Sequence, residues 1–151
     1  MSNRVEIIMP DAGPLISLAM AGELDTLRKV KRPIRIVDQV LYEVTKSNAY
    51  PGAKEVKAFV DAHPESILVT KTNVGRLAAM ERARDPNAKQ RGLGDAAIAE
   101  FMRRLDEFAA SDAPVWLVYE DGDITKIRIT HARPVHLVGT REFLLGLEGQ
   151  R

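Results

Sequence analysis

Cysteine is absent from the 151 residues. Disulfides, thiolate metal sites and cysteine nucleophiles are thereby excluded, and the chain is suited to a reducing compartment. Aromatic residues make up only 5% of the sequence, too few for an extended base-stacking platform of the kind that holds single-stranded nucleic acid. No apolar run approaches the roughly 20 residues of a membrane span. The first one, "VEIIMP", stops at Asp11 and has neither the length nor the flanks of a signal peptide, so a cytoplasmic location without membrane contact is expected. Charge of one sign is lacking too. The net charge is +1, which neither demands nor excludes a nucleic-acid partner. There is no Gly-rich phosphate loop, no Ser-His-Asp arrangement, and no histidine with a metal-type partner at useful spacing. His63 before Pro64 and His136 in an apolar run read as structural.

What is present is a core. With 45% hydrophobic residues, the chain has enough apolar material for one domain spanning residues 1–151. Short apolar runs alternate with amphipathic ones. Strands are expected at "VEIIM" (5–9), "PIRIVD" (33–38), "SILVT", "PVWLVY" and "PVHLVG". Helices are expected in "LISLAMAG", "ELDTLRKV", "QVLYEVTKS", "AKEVKAFVDAH", "VGRLAAMERAR" and "TREFLLGLEG". The clearest helix is 95–110, with an apolar face of Ile98, Phe101, Met102, Leu105 and Phe108. Its polar face is Glu100, Arg103, Arg104 and Glu107. Residues 85–94 read as an exposed loop, and "ITKIRITHA" after Asp123 is ambiguous between helix and strand. Strand–helix alternation predicts an α/β fold: three layers, α/β/α, around a mostly parallel sheet of four to five strands.

Ligands of such sheets bind beyond the carboxyl ends of the strands, and acids cluster at that position. Asp11 follows the first strand and Glu43 lies one turn into the helix after the second. Asp95 opens the strongest helix, and Asp121 and Asp123 follow "VWLVY". Each has an ordinary role open to it: Asp11, Asp95 or Asp123 as a helix cap, Glu43 as a solvated helix residue, Asp121-Gly122 as a turn. Converging without a cation, they would repel one another and some would protonate. A hard divalent cation, Mg²⁺ or Mn²⁺, removes that conflict and matches phosphodiester hydrolysis.

The ordered set of motifs resembles the PIN-domain nucleases, including the toxins of VapBC-type toxin–antitoxin modules. "IIMPDAGPLISLAMAGELDTL" is similar to the family's opening, "IVDQVLYEV" to the segment with its helix Glu, and "GLGDAAIAEFM" to its third acidic motif. "VWLVYEDGDI" resembles the fourth, and "VHLVGTREFLLGL" the closing strand, Gly-Thr and helix. The resemblance implies a PIN-like fold and a Mg²⁺- or Mn²⁺-dependent endoribonuclease. Asp11, Glu43, Asp95 and Asp121 would be its core metal-site acids, with Asp123 assisting. It also implies RNA as substrate and an antitoxin protein as a possible partner; the apolar helix faces hint at a homodimer. Two departures stand out: Tyr119-Glu120 in place of a small polar pair, and the β-branched "ITKIRITHA" in place of a clear helix. They motivate the alternative of a non-catalytic PIN-like module that binds RNA or protein. A phosphorylated receiver domain wants paired acids after its first strand, where Asp11 stands alone.

Three cationic runs are candidates for phosphate contact. "RKVKRPIR" (28–35) contains no acid. Arg82, Arg84, Lys89 and Arg91 lead into Asp95 and are the expected substrate-binding set. Lys126, Arg128, His131 and Arg133 form the third. Each run is also compatible with a plain solvated face. Ser17, on the helix after Asp11, and Thr140, at the start of the last helix, are candidates to support the pocket, Thr140 being equally compatible with a plain N-cap role.

Overall fold

The computed structural model describes residues 7–107, 114–119 and 135–148. Five strands form one sheet: β1 (Ile7–Pro10), β2 (Ile34–Val37), β3 (Ile67–Thr70), β4 (Val115–Tyr119) and β5 (Val135–Gly139). All neighbours pair in parallel, in the order β3-β2-β1-β4-β5. Among the described residues six α-helices accompany them: α1 (Ala12–Met20), α2 (Asp38–Thr45), α3 (Ala53–Ala62), α4 (Asn73–Arg84), α5 (Leu93–Arg103) and α6 (Thr140–Glu148). The architecture is three-layer α/β/α and PIN-like, as expected.

A parallel sheet covered by helices needs strands that are apolar on both faces. β1 meets that need with four buried residues in a row. Ile34, Ile36 and Val37 of β2 and Val115, Leu117 and Val118 of β4 extend the same core. At the sheet edge the pattern relaxes, and Val69 of β3 is exposed. Helices α1, α2 and α3 pack on one another; α2 also meets α4 and α5, which pair with each other.

Three local expectations change. "ELDTLRKV" folds as a 3₁₀ helix, Leu24–Val30, rather than an α-helix. The helix expected over 95–110 runs from Leu93 to Arg103, followed by a 3₁₀ turn at Leu105–Glu107. Glu100, expected on that helix's solvent face, is 7% exposed. The reason is tertiary: its carboxylate accepts from the backbone N–H of Asn73 (2.7 Å) and Val74 (3.0 Å). These are otherwise unpaired donors at the start of α4.

The chain order places the switch point between β1 and β4. From β1 the sheet grows through β2 to β3, and β4 then returns to the other side of β1. A crevice at the carboxyl ends of these two strands is the expected ligand position. The Asp11 N–H donates to the Val118 carbonyl (3.0 Å), which extends the β1–β4 ladder to that crevice.

Candidate active site

Four described segments meet the carboxyl edge of the sheet. Asp11 leaves β1 in extended conformation and takes the N-cap position of α1, without a side-chain capping bond. Its backbone bond to Val118 ties it to the end of β4. β5 runs in register with β4, Tyr119 opposite Gly139. Thr140, the next residue, is therefore at the same edge. The Thr140 Oγ1 is buried and has no hydrogen-bond partner among the described residues.

The third segment is α2, which begins directly at the end of β2. Its two acids behave differently. Asp38, in the first turn, is saturated: its carboxylate accepts from the N–H of Gln39 (2.9 Å), the N–H of Thr72 (3.0 Å) and the Thr72 hydroxyl (2.8 Å). Asp38 thus joins the end of β2 to the start of α4. Glu43, further along the helix, accepts one side-chain bond, from Gln39 Nε2 at 3.3 Å. Gln39 itself is buried, and its Oε1 has no partner among the described residues.

The fourth segment is α5. Its N-cap is Gly92, held at φ +67°, and Asp95 is the third helical residue rather than the cap. Gly94 packs directly on Glu43: a Cβ at position 94 would stand 2.8 Å from Glu43 Oε2. Glu43 and the residue before Asp95 are therefore in contact across the α2–α5 interface. Gly75 of α4 bears the same relation to Asp38, whose carboxylate occupies the space a Cβ would need. Two glycines, each in the first turn of its helix, thus accommodate two carboxylates of α2.

Asp121, Asp123, Glu120 and the segment 124–133 with its cationic run lie outside the described residues. Among the described residues, no three acids or histidines lie close enough together to hold a metal ion. The described share of the expected acid set is Asp11, Glu43 and Asp95, all hard oxygen donors of the kind Mg²⁺ and Mn²⁺ accept. Ser17 lies in the middle of α1, half-buried.

The basic residues divide. Arg82 is half-buried, with its guanidinium 3.5 Å from the centre of the Tyr42 ring. It also donates to Gln90 Oε1 (3.1 Å), and Gln90 Nε2 donates back to the Ala78 carbonyl (2.9 Å). Arg82 therefore clamps the 85–92 loop to α4 and α2. Arg84, Lys89 and Arg91 are exposed. Beside Tyr42 and Arg82 a cleft of about 600 Å³ opens, with Lys71, Arg76 and Arg104 among its lining residues. The Arg35 guanidinium lies apart from this cleft, bonded to Thr70 Oγ1 (3.1 Å), and burial lowers its pKa.

The roles of Asp38, Gly75, Gly94 and Glu100 emerge only in the folded chain. The glycines were the available signal, since "NVGRL" and "GLGDA" each put one at a helix start.

The described residues thus form an all-parallel α/β module with acids at the carboxyl edge of its sheet. The PIN-domain family model matches residues 7–82, just over half of the chain, and the chain belongs to that family. The match includes Asp11 and Glu43; Asp95 and Asp121 lie beyond it. No solved structure matches the chain.

Proposed function

We propose that the protein is a divalent-metal-dependent endoribonuclease that hydrolyses RNA phosphodiester bonds. Asp11, Glu43, Asp95 and Asp121 would hold Mg²⁺ or Mn²⁺, and Asp123 would assist. The observation that supports this reading best is the Glu43–Gly94 contact. It sets the helix Glu against the helix that carries Asp95, while Asp11 is tied to the end of β4, from which the chain runs on to Asp121.

A bound divalent cation of this class would activate a water and neutralise charge that develops on phosphate. The protein's own groups do the rest. Asp38 and Glu100 fix α4 against α2 and α5, so Glu43 and Asp95 are carried on helices whose positions are held by partly buried hydrogen bonds. Gln39 orients Glu43. Thr140 Oγ1, with no described partner, is available to orient a water or a phosphate oxygen. Arg84, Lys89 and Arg91 are free to contact RNA phosphates, and Arg82 holds their loop in place. Toxin activity with a neighbouring antitoxin, and a homodimer, belong to the same proposal.

Incubating a mixed RNA pool with the purified chain in Mg²⁺, Mn²⁺ or EDTA tests it. Cleavage in either metal that stops in EDTA is the expected result. Tight RNA binding with no cleavage at any metal concentration would instead identify a non-catalytic module of the same fold.

A further inference from the structure

The cationic run 28–35 takes no part in the site above, because it leads into the amino end of β2, at the opposite edge of a parallel sheet. There the structure has a second cleft, of about 380 Å³. Arg28, Lys31, Arg32, Glu65 and Ser66 are among its lining residues. Two polar atoms in these walls, Arg28 Nε and Ser66 Oγ, are buried and have no hydrogen-bond partner among the described residues. A buried donor without a partner is costly, and Arg28 Nε can only donate. Lys31 adds a further oddity. It adopts φ +57°, the one positive-φ non-glycine among the described residues, a conformation that lysine adopts rarely. That conformation turns the chain at the lip of the cleft.

The geometry points to an anion site for a phosphate group, carried by a nucleotide or by an RNA backbone. Three cations outnumber the one carboxylate on the lining, Glu65, and Asp25 outside it engages Arg28 only through NH1, at 3.4 Å. Arg28, Lys31, Arg32 and Ser66 give the lining the guanidinium, ammonium and hydroxyl groups from which phosphate oxygens accept hydrogen bonds. The volume admits a phosphate with a sugar attached, within the range of small-ligand clefts. This inference does not depend on the nuclease reading, since none of its residues belongs to the acidic edge.

Backbone amide shifts of the full-length protein, in chloride buffer, test it with inorganic phosphate and, separately, with a short single-stranded RNA. The expected result is saturable perturbation centred on residues 31, 32, 34, 65 and 66. Response to phosphate identifies a small-molecule site. Response to RNA alone identifies a backbone site. Arg32→Ala, an exposed residue, should weaken binding about tenfold, and Ser66→Ala about fivefold. No saturable perturbation by either probe overturns the proposal. So does binding that Arg32→Ala and Ser66→Ala leave unchanged.

Discussion

Gly94 and Glu43 approach so closely that position 94 has no space for a side chain: a Cβ there would stand 2.8 Å from Glu43 Oε2. The obstructing atom is the far end of a flexible side chain, so the carboxylate can swing aside. Gly94→Ala should therefore fold well, with the helix-propensity gain of about 1 kcal/mol offsetting the crowding. RNA cleavage should suffer, because a displaced acid loses the geometry that catalysis needs. A fall of about 10²-fold in kcat/KM with thermal unfolding little changed is expected. Unfolding scans and cleavage rates on the same sample check both halves.

Gly75 should behave in the opposite way. Its neighbour, the Asp38 carboxylate, is held by three hydrogen bonds and cannot yield without breaking them. Gly75→Ala should cost about 2 kcal/mol of stability, read as a lower midpoint in urea. A midpoint equal to that of the unaltered protein would show that Asp38 is not fixed as described.

Glu100→Ala should be more damaging than an ordinary surface change. It strips the acceptors from the Asn73 and Val74 N–H groups, whose bonds to Glu100 are partly buried, and removes a negative charge from the start of α4. A loss of about 3 kcal/mol is expected. Glu100→Gln should lose about half as much, because one oxygen still accepts while the amide brings donors toward donors. Urea denaturation of the two variants checks the order.

The exposed cations should act on binding rather than folding. Replacing Arg84, Lys89 and Arg91 by alanine should reduce the salt dependence of RNA affinity, lowering the slope of log K against log salt by about 2. Arg82→Ala should cost about 1 kcal/mol of stability through its Tyr42 contact. Binding isotherms at several salt concentrations separate the two effects.

The strands and most helices could be read from the sequence because apolar runs and helical spacing are local signals. Asp11 and Glu43 were placed correctly in chain order for the same reason: each follows a strand by a fixed short distance. Glu100 was misread because amphipathic periodicity shows which face of a helix is polar but not what meets that face. Its partners lie 26 and 27 residues earlier in the chain. Asp38 looked like the end of a strand, and only the folded chain shows it saturated by Thr72. The 3₁₀ form of Leu24–Val30 was equally hidden, since its apolar spacing suits an α-helix as well.

The most direct measurement compares RNA cleavage in Mn²⁺ by the unaltered chain with cleavage by Asp11→Asn, Glu43→Gln and Asp121→Asn, each verified as folded by thermal unfolding. If these acids form the proposed metal site, each variant should lose about 10²-fold or more of the rate, and EDTA should abolish cleavage by the unaltered protein. Full cleavage by Asp11→Asn, or cleavage that persists in EDTA, would contradict the assignment.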